Sequence, residues 1–313
     1  MAKIACIGEV MIELASSPVL YRGEAKLKTL AYAGDTYNTV VSLTRLGVPA
    51  TYITRLGDDP YSDAILDNLH EEGVDVQSVI RQQGMVPGLY MIHNSDDGER
   101  EFFYWRTQAP ARQLFHHHDE ISRWEKELAD TEWIYLSGIT LAIIGEAGRQ
   151  NLQTFIQRFR QRGGKLAFDS NYRPQLWENV QEAQAAMREF LSLTDLALLT
   201  LEDEMLLWGK SITGLADARK LYKTYAIAEI VLKRGPEDVL ILQGEKEMAV
   251  PVMPVKNIVD TTAAGDNFNA GYLARRLNGD SPEAAALQGN RCAAVIIQHR
   301  GGVIEREVFL AAL

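Results

Sequence analysis

Short apolar runs that alternate with helix-like stretches constrain this chain more than any other feature. Ile4–Gly8 is an apolar run of strand length, and Ala50–Leu56 is a second. Between them Thr36–Leu46 has helical spacing and stops at Gly47, and Asp59–Glu72 has the same spacing and stops at Gly73. The alternation resumes with strand-like Trp133–Ser137, Leu166–Asp169, Leu196–Thr200, Ile230–Lys233 and Val239–Gln243. Helical spacing covers Glu146–Gln161, Gln181–Leu193 and Leu215–Tyr225, and helices near Gly265–Leu277 and Pro282–Gln298 end the chain. Strands without a polar face must be covered on both sides. The pattern predicts an α/β fold, a three-layer sandwich with a mostly parallel central sheet. No repeat, low-complexity tract or linker interrupts the 313 residues, so a single domain spanning 1–313 is expected.

One stretch breaks the alternation. Gly88–Arg106 carries two period-2 runs around Ser95-Asp96-Asp97-Gly98, a sequence suited to a hairpin turn. Phe102, Tyr104 and Arg106 then share one face, with Phe103 and Trp105 on the other. Aromatics on both faces fit a small β sheet, intercalated at roughly 10–33 and 85–108, that acts as a lid or a subunit contact.

The net charge of −10 argues against nonspecific binding to nucleic acid or an anionic membrane surface. It leaves room for small anions, because a local cluster of cations and helix ends can dominate a pocket. Cys6 and Cys292 lie far apart in apolar runs and read as buried, inert thiols. The start of the chain lacks a signal-peptide pattern, and no apolar stretch reaches the roughly 18 residues of a membrane span. The expected location is the cytoplasm.

The chemistry concentrates in Asp260-Thr261-Thr262-Ala263-Ala264-Gly265-Asp266, which runs into the helical stretch beginning at Asn267. Small residues let the backbone approach a ligand, and a helix start offers free N–H groups and partial positive charge to a phosphate. Asp266 stands where an acceptor hydroxyl would meet the transferring group, the arrangement of a phosphotransferase with one carboxylate base. Alone, Asp266 could equally be a first-turn carboxylate stabilising a helix dipole. The chain has neither G-x-x-x-x-G-K-[ST] nor, after its first strand, G-x-G-x-x-G, so P-loop and dinucleotide-binding readings lack their main support.

Ala33-Gly34-Asp35-Thr36-Tyr37-Asn38, with Leu46-Gly47 and Leu56-Gly57-Asp58 after it, resembles the N-terminal signature of the ribokinase-like carbohydrate kinase family. Asp260–Asp266 resembles the family's C-terminal signature. Gly88-Leu89-Tyr90, Phe103-Tyr104-Trp105-Arg106, Asp169–Pro174 and Val231–Gly235 are similar to its 2-keto-3-deoxygluconate kinase branch. The resemblance implies transfer from ATP, with Mg²⁺, to the terminal hydroxyl of a six-carbon 2-keto-3-deoxy acid. It implies Asp266 as base, Gly34 and Asn38 at the sugar hydroxyls, and Tyr90, Tyr104, Arg106 and Arg173 at the keto-acid end. On the nucleotide side it implies Asn171, Lys233, Gly235, Ala263, Ala264, Gly265 and Asn290. A carboxylate substrate needs a cation, and Arg offers a planar two-pronged donor.

Other roles remain open for these residues. Gly34 could serve a turn, Asn38 could cap a helix, the tyrosines could pack in a subunit interface, and Arg173 could form a surface ion pair. Ala263 stands where the broad family usually has Gly. A methyl group there is harmless at negative φ and costs on the order of 1 kcal/mol or more at positive φ. Thr200 and Asp203 replace the Asn and Glu that the family often places near magnesium, so their metal role is open beside helix capping. His116-His117-His118-Asp119 reads as a solvated run opening a helix. Rival readings are a kinase of fructose or of the galactonate epimer, a noncatalytic sugar-acid sensor and, more remotely, a nicotinamide oxidoreductase. Association through the lid would give a homodimer or a higher homo-oligomer.

Overall fold

The computed structural model describes residues 2–22, 25–94 and 100–313, with side chains for all of these except 16–28 and 94–100. Eight strands form the central sheet in the order Lys246–Val250, Glu237–Gln243, Glu229–Arg234, Leu196–Thr200, Lys165–Asp169, Trp133–Ser137, Ile4–Ile7, Ala50–Ile53. The six from Glu229–Arg234 to Ala50–Ile53 pair in parallel, and the two at the other edge are antiparallel.

The absence of a polar face on these strands has the expected cause. Ile4 and Cys6 enter one hydrophobic core while Ala5 and Ile7 enter the other, and Leu196 and Leu198 are divided from Ala197 and Leu199 in the same way. One core is closed by helices that include Asp35–Arg45, Ala264–Leu277 and Pro282–Ile296, the other by helices that include Gly138–Gln161 and Val180–Leu191. The result is the three-layer α/β sandwich. Helix boundaries follow local chemistry. Asp59 caps Pro60–Glu71 by accepting from the Tyr61 and Ser62 amides, and Gly47 and Gly73 follow the first two helices at φ 82° and 77°.

Three elements go beyond the sequence reading. The helix expected at Glu146–Gln161 is present, and a further helical stretch, Gly138–Ile144, precedes it across the non-helical Gly145 (φ 65°). Gly138–Ile144 is almost wholly apolar and so carries no helical stripe to detect. Leu201–Trp208 is a further helix, and Lys246–Val250 a further strand.

A separate four-stranded sheet has the order Ala25–Ala33, Met11–Arg22, Gly88–Asn94, Arg100–Trp105. Its middle pair is parallel, and the two outer pairs are antiparallel. The Ser95–Gly98 turn expected between its last two strands lies outside the described residues. Tyr90, Phe102 and Tyr104 share one face, with ring centroids 5.7 to 6.4 Å apart, and Arg106 lies 5.9 Å from the Tyr104 ring.

Candidate active site

Asp169, Thr200 and Lys233, at or near the C-terminal ends of three adjacent parallel strands, line a cavity of about 1300 Å³. Open α/β sheets bind ligands at this edge. The small sheet contributes Tyr90, Phe102 and Tyr104 to the same cavity, and the 261–266 loop closes another side.

Gly34 is required by close approach rather than by a turn. A Cβ at this position would lie 2.2 Å from the Glu9 carbonyl oxygen. Gly34 precedes the helix Asp35–Arg45, so Asp35 and Asn38 fall in its first turns and line the cavity. Asn38 Nδ2 donates to Asp266 Oδ2 at 2.9 Å, while Asn38 Oδ1 is buried with no partner among the described residues. The motif residues at 34–38 and 260–266, over 200 positions apart in the sequence, therefore meet directly.

Three carboxylates crowd this floor. Asp35 accepts from Ser137 Oγ and from Asn171 Nδ2, the latter at 3.0 Å. Asp169 Oδ2 accepts from Asn269 Nδ2 at 2.6 Å and from Lys233 Nζ at 3.1 Å. Burial, followed by repulsion from Asp35, pushes the Asp266 carboxyl up to about 7, against the opposing bond from Asn38. Burial likewise raises Asp35. A carboxylate poised near neutrality can take a proton and release it.

Ala263 adopts the left-handed conformation (φ 59°, ψ 13°) at the start of the helix Ala264–Leu277. The strain named above is therefore present, of about 1–2 kcal/mol. Two features hold the residue there. Asn267 donates through both its backbone N–H and Nδ2 to the Ala263 carbonyl, at 3.0 and 2.9 Å. Gly302 faces the Ala263 methyl, where a second Cβ would lie only 2.9 Å away. No side chain caps this helix start. A Cβ on Gly265 would lie 3.5 Å from Lys233 Nζ, so a cation stands beside the free helix end. An uncapped helix start flanked by Lys233 suits a phosphate group.

The small-sheet side is held by buried polar pairs. Tyr90 OH donates to Glu13, and Arg106 donates to Glu9 in an ion pair with both partners buried. Arg173 Nη1 lies 3.0 Å from Asp203 Oδ1. Thr200 takes the N-cap position of Leu201–Trp208 without making a side-chain cap bond, so the capping role open in the sequence is not what its hydroxyl does. Thr200 and Asp203 line the cavity as oxygen donors.

Of the residues singled out from the sequence, Gly34, Asn38, Tyr90, Tyr104, Arg106, Asn171, Arg173, Lys233, Ala263, Ala264, Gly265 and Asp266 line this one cavity. Gly235 and Asn290 do not, and Asn290 Nδ2 donates to the Pro251 carbonyl at 2.8 Å. His117 and His118 are exposed at the opening of the helix His118–Glu127, and no cluster among the described residues could hold a metal ion. Sequence reasoning passed over Glu9, Asp35, Arg112 and Asn267. Asp35 lies inside a motif already singled out, whereas Arg112 lies in no motif.

A model of the pfkB family carbohydrate kinases matches residues 1–307. The 2-dehydro-3-deoxygluconokinase of Escherichia coli (strain K12) is 41% identical over 317 residues, covering 99% of this chain and 99% of that protein. Among solved structures, a 2-dehydro-3-deoxygluconokinase of Thermotoga maritima superimposes with a TM-score of 0.86 at 22% identity, covering 99% of both chains. An Escherichia coli protein described as a ribokinase II, solved in complex with ATP and Mg²⁺, superimposes with a TM-score of 0.83 at 23% identity over 96% of this chain and 94% of that one. This chain belongs to the pfkB family of carbohydrate kinases.

Proposed function

We propose that the protein is an ATP-dependent kinase of 2-keto-3-deoxygluconate (2-dehydro-3-deoxygluconate), phosphorylating its terminal hydroxyl. The observation that carries this reading is the meeting of Asp266 with Asn38 at the floor of a cavity whose other wall brings arginines. The full-length similarity to proteins named for this activity supports it. Asn38, with its unpartnered Oδ1, receives a sugar hydroxyl, and Gly34 lets the chain lie close enough for it to do so. Tyr90, Tyr104, Arg106 and Arg173 grip the keto-acid end. Asp266 accepts the proton of the terminal hydroxyl as that oxygen attacks.

The free helix start at Ala263–Gly265 and Lys233 fit a transferring phosphoryl group, and Asn171 borders the nucleotide, while Gly235 and Asn290, outside this cavity, would meet only a part of the nucleotide that extends beyond it. ATP would supply the γ-phosphoryl group, and Mg²⁺ would neutralise phosphate charge near Thr200 and Asp203. Lid residues exclude water, so that transfer outcompetes hydrolysis. The exposed outer aromatics Phe103 and Trp105 suit association of two copies through the lid. The free, buried Cys6 and Cys292 suit a reducing cytoplasm.

A coupled ADP-release assay across 2-keto-3-deoxygluconate, its galactonate epimer and fructose tests the substrate. The expected result is the highest kcat/KM on an acid, and preference for fructose would overturn the reading. The Asp266 carboxyl near 7 sets a second expectation. Because the base must be deprotonated, kcat/KM falls about tenfold per pH unit below that value and levels off above it. A profile flat from pH 5.5 to 8 would exclude a base poised near neutrality.

A further inference from the structure

Four cationic side chains line the cavity: Arg106, Arg112, Arg173 and Lys233. Three are already engaged, Arg106 with Glu9, Arg173 with Asp203 and Lys233 with Asp169. Of the four, only the Arg112 side chain makes no hydrogen bond or ion pair among the described residues. It is held in place nonetheless. It sits on the short 3₁₀ turn Pro110–Gln113, whose Pro110 and Ala111 are buried, and Leu114 and Phe115 directly after it are in the core.

The cavity also carries Glu9, Asp35, Asp169, Asp203 and Asp266. An arginine paired with a buried carboxylate still donates hydrogen bonds but adds little net positive charge. An anionic ligand entering among these carboxylates therefore needs an uncompensated cation. Arg112 supplies one on a rigid support. Successive backbone bonds, from Ala109 N–H to the Arg106 carbonyl and from Arg112 N–H to the Ala109 carbonyl, each 3.1 Å, keep Arg112 close to Arg106, and both arginines favour the charged form of Glu9.

We infer that Arg112 joins Arg106 and Arg173 at the substrate's carboxylate and, as the one cavity arginine with no carboxylate paired to it, sets the preference for an acid over a neutral sugar. This rests on the reading of the site as one for a sugar acid. It also accounts for a half-buried guanidinium left without a protein partner.

The test compares wild type, Arg112→Gln and Arg112→Lys, measuring KM and kcat for 2-keto-3-deoxygluconate and fructose, and the dissociation constant of ATP. In Arg112→Gln the KM for the acid should rise roughly 10- to 100-fold, the loss of one charged hydrogen-bonding partner. Values for fructose and ATP should stay within about twofold. Arg112→Lys should recover part of the loss, because it restores charge without the fork. Equal losses for acid and fructose would show a structural role, and a loss confined to ATP would show a phosphate contact; either overturns the inference. An acid KM unchanged in Arg112→Gln overturns it while leaving the proposed activity standing. A wild type that turns over fructose but no acid overturns both.

Discussion

Replacing Asp266 with Asn should lower kcat by about 10²–10⁴-fold while leaving the dissociation constants of sugar acid and ATP nearly unchanged. The substitution is close in shape, and an amide oxygen can still accept the 2.9 Å bond from Asn38 Nδ2. Only the capacity to take a proton is lost. Stability gives an independent check. In the folded protein the Asp266 carboxyl is pushed up to about 7, so its folded pKa lies above its unfolded value. Such a group favours folding at low pH, and that advantage is lost as pH rises through the folded value. The Asn variant escapes the loss and should gain thermal stability relative to wild type between pH 5 and pH 8. Near-normal kcat in this variant would remove Asp266 from the chemistry.

The second large effect falls on folding. Arg106→Met should destabilise the protein by about 3–5 kcal/mol near pH 8, because it strands the buried Glu9 carboxylate. Burial already holds the Glu9 carboxyl above its usual range even with Arg106 opposing it. Without Arg106 the folded-state value rises further above the unfolded one. Stability relative to wild type is then best at low pH and is lost as pH rises through that raised value. Denaturant midpoints at pH 5 and pH 8 measure this. A deficit of equal size at both would mean that the lost stem packing of Arg106, not its charge, matters.

How far the sequence disclosed these features depended on their physical origin. The parallel sheet was legible because strands such as Ile4–Ile7 serve two cores and so lack a polar face. The 260–266 loop was legible because small residues followed by a helix are a local pattern. Ala263 was legible only as a conditional, since composition does not give φ; its value of 59° and the facing Gly302 emerge from tertiary packing. Charge pairing was legible only in outline, as an ion pair open to Arg173 with no partner named. Arg106 and Arg173 could be named as cations, but Glu9 and Asp203, which occupy them, are brought there by the fold. Arg112 has no motif around it, and its significance lies in the partner it lacks. Gly138–Ile144 was missed for the opposite reason, since a helix buried on all sides shows no period.

The central claim is that Asp266 directs the γ-phosphoryl group onto the terminal hydroxyl of a bound sugar acid rather than onto water. Product analysis by phosphorus and carbon NMR, after incubation with ATP, Mg²⁺ and 2-keto-3-deoxygluconate, tests it most directly. The account predicts one phosphomonoester on the terminal carbon, formed in a one-to-one ratio with ADP. ADP accompanied by inorganic phosphate alone, or a phosphoester at another carbon, would contradict it.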